Sequence, residues 1–393
     1  MKDTADLSMP LEDPWSDIRD AVTKLCEPFD NAYWTDLDAK SEYPHAFVDA
    51  LTREGWLGAL IPEEYGGAGL PIAAGGAILE TIHKAGCNAA ACHAQMYTMG
   101  TVLRHGSEEQ KQKYLPKIAS GELRLQAFGV TEPTTGSDTT QLKTRAELKG
   151  NKYVVNGQKV WTSRAMQSDL MLLLARTTPA DQVQRRSDGI STFLVDMREA
   201  KGNGLEIRKL DAMINHNTCE VFFDNVEIPP DALIGEEGKG FRYILDGMNA
   251  ERILIAHESL GDAAYFLEKA TTYASERVVF GKPIGANQGV QFPIARAWAE
   301  AEAAKLLVLK AAALFDAGQP CGAEANAGKM LAADAAWHAA EACMQVHGGF
   351  GFATEYGIER KWRECRLYRT APISENMILA YIGQHVLGMP RSY

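Results

Sequence analysis

The stretch Tyr153-Val154-Val155-Asn156-Gly157-Gln158-Lys159-Val160-Trp161 decides the fold class of this chain. Two short runs of strand-forming residues flank Asn156-Gly157, a pair that tolerates the positive φ of a two-residue turn, so the stretch predicts a β-hairpin. Further strand candidates follow at 170–175, 191–195 and 220–223. The first of these is apolar throughout and predicts a buried strand. We expect one strand module, closed by Pro229-Pro230.

Both flanks of this module carry helical patterns. Apolar side chains recur at helical intervals from about 15 to 123, with breaks at Pro62 and at glycines 66, 67 and 69. From about Gly240 onwards, alanine-rich stretches predict closely packed helices that stop at Gly318 and Gly348-Gly349. The order predicts an α+β fold with an N-terminal helical domain (1–125), a middle β-domain (126–235) and a C-terminal four-helix bundle (236–393).

The composition argues against several classes of protein. A formal charge of -11 argues against nucleic-acid binding, which needs a basic face. Apolar runs are too short to span a bilayer, and the acidic start Met1-Lys2-Asp3-Thr4-Ala5-Asp6 shows no targeting signal. The seven cysteines form no CxxC pair, which favours free thiols in a reducing cytosol over disulfides or a metal site. We therefore predict a cytoplasmic protein without metal.

Common catalytic and nucleotide-binding motifs are absent from the sequence. It contains no G-x-G-x-x-G after a strand, no P-loop, no H-E-x-x-H and no G-x-S-x-G. A Rossmann site, a zinc hydrolase and a serine hydrolase therefore lose support. Any dinucleotide bound by this chain is held by another architecture.

A series of blocks, in order along the chain, resembles the acyl-CoA dehydrogenase family. The strand module carries Phe128-Gly129-Val130-Thr131-Glu132-Pro133, Gly136-Ser137-Asp138 and 156–163. The helical part continues with Glu251-Arg252, Glu276-Arg277, Phe280-Gly281-Lys282, Asn287-Gln288 and Gln345-Val346-His347-Gly348-Gly349. Any one block arises easily by chance, whereas the ordered set covers nearly the whole chain.

The resemblance implies a bound FAD. Trp161 would form an aromatic wall, Thr131 and Ser163 would bond the ring edge, and Arg277 would reach the pyrophosphate of an FAD held mainly by a neighbouring subunit. Judged on the residues alone, Trp161 fits a core aromatic, Ser163 a strand end, Arg277 a solvated charge and Gly348-Gly349 a helix stop. The implied FAD contacts are Phe128, Val130, Thr131, Gly136, Ser137, Trp161, Thr162, Ser163, Arg277, Val279, Phe280, Asn287, Gln288, Gln345, Val346, His347, Gly348, Gly349, Ser374 and Asn376.

The reaction implied by the resemblance is α,β-desaturation of an acyl-CoA, in which a carboxylate removes the α-proton and the β-hydrogen leaves as hydride to the flavin. Many members carry this glutamate after an Arg-Leu-Tyr-Arg-like sequence, but the matching position is Pro372. Isovaleryl-CoA and long-chain members carry it at a position that matches Glu251. We predict Glu251 as the base, although on the residues alone Glu251 and Arg252 fit a solvated charge pair. Glu375 is the reserve candidate and is predicted to start the last helix.

Proline at position 372 changes how the thioester oxygen is held. In the family, the backbone N–H at this position helps to bind the thioester carbonyl, and proline has none. The oxyanion then needs another donor, such as a ribityl hydroxyl of the flavin or the N–H of Ile373. The predicted substrate contacts are Ser137, Asn249, Arg252 and Ile373.

Three functions remain open at this point. The first is a dehydrogenase that passes electrons to an electron-transfer flavoprotein and assembles as a homotetramer. The second is an oxygen-using flavin oxidase or monooxygenase on the same fold, which the loss of the glutamate at Pro372 keeps open and Glu251 disfavours. The third is a non-catalytic acyl-CoA-binding protein, against which the flavin-edge residues Thr131, Trp161 and Ser163 argue.

Overall fold

The computed structural model describes residues 13–391. The acidic N-terminus, on which the absence of a targeting signal was predicted, lies outside these residues. Helices fill the chain up to the first strand, in agreement with the sequence pattern. Asp30 caps the second of them and Ser107 forms a capping box with Gln110 at the sixth. The helices are α1 Ser16–Cys26, α2 Asn31–Lys40, α3 His45–Arg53, α4 Ile72–Lys84, α5 Ala90–His105 and α6 Glu108–Ala119.

A single eight-stranded sheet follows. Its strands run in the order β6-β7-β3-β2-β4-β5-β8, and β1 pairs with β4 in parallel. The strand predicted at 170–175 is β4, which is buried almost throughout and lies between β2 and β5 in the sheet. The strands are β1 Leu125–Gly129, β2 Arg145–Lys149, β3 Lys152–Ser163, β4 Leu170–Arg176, β5 Ile190–Asp196, β6 Leu205–Lys209, β7 Thr218–Ile228 and β8 Leu233–Ile234, with the short helix α7 Met197–Ala200 after β5.

The prediction of a hairpin turn at Asn156-Gly157 is wrong. β3 runs straight through these two residues. The turn lies before them in the chain, at Gly150-Asn151, between β2 and β3. Asn156-Gly157 forms an irregularity in the pairing of β3 with β7 instead, where Gly157 has φ 148° and passes against Thr144. A Cβ at Gly157 would lie 2.5 Å from Thr144 Oγ1, so glycine serves a close approach and not a turn.

Long helices form the C-terminal part. α8 Gly240–Glu276, α9 Gln288–Asp316 and α10 Gly322–His347 pack together through alanine-rich faces, and α11 Ile358–Cys365 and α12 Glu375–Tyr381 follow. The predicted ends at Gly318 and Gly348 are confirmed: both have positive φ, Gly318 two residues after α9 and Gly348 directly after α10. A small hairpin of β9 Val278–Val279 and β10 Lys282–Pro283 lies between α8 and α9.

The hydrophobic core lies in separate clusters, under the N-terminal helices, on the two faces of the sheet and inside the C-terminal helices. The seven cysteines are free and buried. No helix within residues 13–391 combines the length and the apolar character that crossing a membrane requires.

Candidate active site

The ends of β1 and β3 lie side by side and bring the predicted flavin-edge residues together. The backbone N–H of Val160 donates to the carbonyl of Thr131 at 2.9 Å, which joins the loop after β1 to β3. Phe128 and Thr131 are half-buried along this edge. The structure therefore places the two halves of the strand signature next to each other, while Gly136 and Ser137 lie exposed on the following loop.

A buried ion pair fixes this loop. Lys159 Nζ lies 2.9 Å from Glu132 Oε1 and also donates to the carbonyl of Val130 at 3.0 Å. Glu132 in turn accepts from the backbone N–H groups of Lys143 and Thr144. Since every one of these groups has a partner, the pair gives the loop a defined position in spite of the cost of burying charge. The sequence motif contained both residues, but only the structure shows that they pair.

The three residues at the end of β3 have contrasting environments. Trp161 is 59% exposed, although it lies in a sheet, and its φ of 60° turns it out of the regular strand. Thr162 is buried and its Oγ1 has no hydrogen-bond partner among residues 13–391. Ser163 Oγ lies 3.4 Å from Thr218 Oγ1. Trp161 thus presents an aromatic face that can cover a planar ligand, whereas the Thr162 hydroxyl is enclosed by the protein.

Glu251 lies on α8 and is only 8% exposed. Burial raises the pKa of its carboxyl to about 7, and nearby His93, Arg252 and Lys329 act in the opposite direction. No side chain within residues 13–391 donates a hydrogen bond to it. A carboxylate that is buried, unbonded and poised near neutral pH has the properties of a general base. The alternative of a solvated charge pair with Arg252 is therefore wrong for Glu251.

Two cations act on the Glu251 carboxylate, and one of them also bonds the C-terminal segment. Lys329, buried on α10, donates to the carbonyl of Ile373 at 2.9 Å, and burial lowers its pKa to about 8. Arg252 Nη1 donates to Asn249 Oδ1 at 2.9 Å, and its Nε has no partner among the described residues. Of the predicted substrate contacts, Arg252 acts on the carboxylate directly, Asn249 is bonded to Arg252, and Ile373 is bonded to Lys329. Lys329 was missed because it stands alone in an alanine-rich stretch.

The position where many relatives carry the base holds Pro372, which offers no N–H. The N–H of the next residue, Ile373, donates to no group within residues 13–391. Glu375 is the first residue of α12, as predicted, and accepts from Arg369 Nη2 at 3.4 Å. Arg369 also pairs with Asp334 at 2.9 Å. Glu375 is thus engaged in an ion-pair network, whereas Glu251 is not.

A network of buried polar side chains surrounds the part of α8 that follows Glu251. His93 of α5 lies 3.2 Å from Glu258 of α8, which is seven positions after Glu251 on the same helix face. One turn further, Asp262 contacts His83 at 2.9 Å and pairs with Lys361. These contacts tie α4, α5 and α11 to α8. They hold the helix that carries Glu251 in a fixed position.

Most of the remaining predicted FAD contacts lie around the end of α8, where all but Val346 and the buried His347 are exposed. Arg277 ends α8, and the β9–β10 hairpin after it displays Phe280, which is 100% exposed. His347 stacks on Tyr273 with ring centroids 4.2 Å apart, which brings the glycine turn after α10 near the end of α8. Also on or near this surface are Val279, Asn287, Gln288, Gln345, Val346, Gly348 and Gly349.

The structure does not join the two groups of predicted contacts within one chain. No hydrogen bond, ion pair or ring contact among residues 13–391 links the edge at Phe128–Ser163 to the surface around Arg277 and Gly348. Ser374 and Asn376 lie at the start of α12 and also contact neither group.

Comparison with known proteins identifies the family. Three family models match in order: the acyl-CoA dehydrogenase N-terminal domain at 15–122, the middle domain at 127–226 and the C-terminal domain at 238–387. An acyl-CoA dehydrogenase of Bacillus subtilis (strain 168) is 37% identical over 355 residues, which cover 90% of this chain and 92% of that protein. The chain belongs to the acyl-CoA dehydrogenase family.

Two solved structures extend the comparison. A glutaryl-coenzyme A dehydrogenase in complex with glutaryl-CoA superposes with a TM-score of 0.90 at 31% identity, covering 98% of each chain. The structure titled "PigA with FAD and proline" gives 0.89 at 25% identity and covers 98% of this chain and 100% of that one. The present acyl-CoA dehydrogenase is thus an FAD-binding oxidoreductase with the predicted three-part fold.

The residues present fit a flavin. The exposed face of Trp161 can cover a planar ring, and the half-buried hydroxyl of Ser163 follows on the same strand. Phe128, Val130 and Thr131 complete the edge of the same site. The flavin, when bound, supplies an acceptor for hydride, which none of the twenty side chains can provide.

Proposed function

We propose that this acyl-CoA dehydrogenase desaturates the α,β carbon–carbon bond of an acyl-CoA thioester and that Glu251 removes the α-proton. The observation that carries the proposal is the state of Glu251: buried, without a hydrogen-bond donor among residues 13–391 and with a pKa raised to about 7. Such a carboxylate is a strong enough base to accept a carbon-bound proton and is still ionised near neutral pH. The ordered strand edge with Trp161 and Thr131 provides the adjoining ring site.

The groups around Glu251 orient the substrate. Removal of the α-proton places negative charge on the thioester oxygen, which needs a hydrogen-bond donor in a dry site. The free N–H of Ile373 is the donor we propose, since Pro372 has none. Lys329 fixes Ile373 by bonding its carbonyl, and so acts as a positioning residue. Ser137, Asn249 and Arg252 are the further proposed substrate contacts.

The complete FAD site is proposed to need a second copy of the chain. Arg277, Val279, Phe280, Asn287 and Gln288 are exposed, and a fully exposed phenylalanine at the tip of a hairpin favours an interface. We propose that this surface, together with 345–349, Ser374 and Asn376, contacts the FAD of a neighbouring subunit in a homotetramer. Light scattering on the yellow protein tests the assembly. A monodisperse monomer with full flavin content would contradict it.

Electron-transfer flavoprotein is the proposed acceptor of the electrons. Membership of the acyl-CoA dehydrogenase family supports this acceptor, whereas Glu251 acts in flavin reduction, which precedes reoxidation by either acceptor. An anaerobic titration of the purified flavoprotein with a panel of acyl-CoAs tests the reaction through bleaching of the flavin absorbance. Reoxidation by electron-transfer flavoprotein, compared with dissolved oxygen, then tests the acceptor. Rapid reoxidation by oxygen alone would favour an oxidase.

A further inference from the structure

Five acidic side chains are buried within residues 13–391, and they differ in the groups that neutralise them. Three of them have a lysine or an arginine within 4 Å, namely Glu80, Glu132 and Asp262. The other two, Glu251 and Glu258, have no lysine or arginine of the described residues within this distance. A buried carboxylate without a permanent counter-charge is costly to keep ionised.

Among residues 13–391, the groups within 4 Å of Glu258 that can carry a positive charge are two histidines. Glu258 Oε1 lies 3.2 Å from Nδ1 of His93 and 3.8 Å from Nε2 of His83. Nε2 of His83 accepts the backbone N–H of Ala89 at 3.1 Å, so this nitrogen carries no proton that Glu258 can accept. His93 is therefore the neighbour that can become an imidazolium beside the Glu258 carboxylate.

His93 also has a ring nitrogen that is not in use. The residue is only 7% exposed, and Nδ1 is the nitrogen that contacts Glu258. Nε2, the other ring nitrogen, is buried and has no hydrogen-bond partner within the described part of the chain. A neutral imidazole that carries its proton on Nδ1 has a lone pair on Nε2. His93 thus holds a free proton acceptor in a region from which water is excluded.

The same histidine acts on both carboxylates that lack a permanent cation. α5, which carries His93, packs against α8, where Glu251 and Glu258 lie two turns apart on one face, about 10 Å along the axis. Of the charges that oppose the rise in the pKa of Glu251, His93 has the largest effect, and it also leads the charges that lower the pKa of Glu258. Burial and then both carboxylates raise the pKa of the Tyr97 phenol, whose ring contacts that of His93 at 5.2 Å. His93 and Tyr97 therefore lie along the stretch of α8 between the two acids.

We propose that His93 receives from Glu251 the proton that Glu251 has removed from the substrate, and holds this proton beside Glu258. The proposal rests on the proposed desaturation and adds a second proton acceptor to it. In the transfer, the O–H bond of the Glu251 carboxyl breaks and an N–H bond forms at Nε2 of His93. No oxidant or reductant takes part. Glu251 regains its negative charge, and the new imidazolium pairs through Nδ1 with the Glu258 carboxylate.

The transfer makes removal of the α-proton harder to reverse. A proton that stays on Glu251 remains next to the product and returns easily to the α-carbon. A proton on His93 is attracted by a second buried carboxylate, and Glu251 is ionised again. The charge of Glu258, which is costly in the resting enzyme, then stabilises the state that follows desaturation.

The test measures where the proton lies after flavin reduction. Holoenzyme with ¹⁵N in its nine histidines is mixed without oxygen with butanoyl-CoA, isovaleryl-CoA or octanoyl-CoA at about pH 8, where Glu251 is ionised at the start. Samples frozen before and after bleaching are compared by solid-state NMR, which separates neutral imidazole from imidazolium. We expect one histidine per reduced flavin to become an imidazolium. His93→Gln should lose this gain, and His338→Gln, which changes an exposed histidine paired with Glu300, should keep it.

A second variant keeps the histidine and removes its counter-charge. Glu258→Gln preserves the size of the side chain, but the imidazolium is no longer stabilised, so most of the gain should be lost. Bleaching of the wild-type flavin without a new imidazolium means that the proton stays on Glu251 or passes to Lys329. That result overturns the role of His93 and leaves the desaturation standing, whether or not the variants fold. If none of the three esters bleaches the flavin, the desaturation is overturned and the role of His93 with it.

Discussion

The pocket around Glu251 and the surface around Phe280 are opposite kinds of site. In the pocket, a carboxylate lies buried among His93, Arg252 and Lys329, and the helix that carries it is tied to its neighbours by ion pairs. At the surface, a hairpin holds Phe280 fully exposed beside Arg277, which has no side-chain partner within residues 13–391. The pocket is thus formed by buried groups of one chain, whereas the surface is exposed.

This difference separates two sources of function. A buried site is tuned by desolvation and nearby charge, so its chemistry follows from the environment of a single carboxylate. An exposed apolar tip next to an unpaired cation gains its role only when another molecule covers it. The predictions below therefore address chemistry in the pocket and cofactor retention at the surface.

The largest effect is expected in the pocket. Glu251→Gln keeps the size of the side chain but removes the proton acceptor, so flavin reduction by an acyl-CoA should slow by roughly a hundredfold or more. Stopped-flow measurement of flavin bleaching without oxygen gives the rate. Substrate should still bind and perturb the flavin spectrum. An unchanged reduction rate in this variant would show that Glu251 is not the base.

At the exposed surface, Arg277→Ala should weaken FAD binding by about tenfold or more, the usual effect of losing a charge-assisted hydrogen bond. The fold should be unaffected, because Arg277 makes no side-chain bond within the described residues. FAD affinity is measured by reconstituting the apoprotein, with Arg208→Ala as an exposed control. Full FAD affinity in Arg277→Ala would restrict the cofactor site to the strand edge.

The pocket should also impose a pH dependence. Because the pKa of Glu251 is raised to about 7, the carboxylate is ionised above pH 7 and protonated below it. The second-order rate of flavin reduction should therefore rise about tenfold from pH 6 to pH 8. The opposite sign holds for stability: a raised carboxyl pKa makes this group increasingly destabilising as pH rises to about 7. Glu251→Gln should abolish the rising limb, and a flat wild-type profile would contradict the assignment.

The smallest effect on flavin reduction is expected at Glu375, outside the pocket around Glu251. Glu375→Gln should change flavin reduction less than about twofold, because the assigned role of this carboxylate is at the start of α12, where it favours the positive end of the helix dipole. The same stopped-flow assay applies. A large loss here, with Glu251→Gln active, would move the base to the C-terminal segment.

The fold was predictable from the sequence because its signals are local. The run at 170–175 is the buried strand β4, and Gly318 and Gly348 end helices as predicted. Asn156-Gly157 was misread as a turn, since the pair has the right local preferences for one. The requirement for glycine comes instead from Thr144, which is distant in sequence and packs against Gly157.

The site was predictable only in part. The motif blocks pointed to Trp161, Thr131 and Glu251, and the structure gives each an environment that suits the predicted role. Lys329 carried no signal, because a single cation in a sequence is typical of a solvated surface. Its importance depends on its burial and on its bond to Ile373, and both exist only in three dimensions.

The length of α8 has a genetic consequence. Glu251 and Arg277 are separated by about 40 Å along this one helix, at 1.5 Å per residue, so we propose that the two residues serve different active sites of an assembly. Two impaired variants should then complement each other. In a mixed oligomer of Glu251→Gln and Arg277→Ala chains, a site that takes its base from one chain and its arginine from the other is intact, and activity should return when the two defective proteins are produced in the same cell.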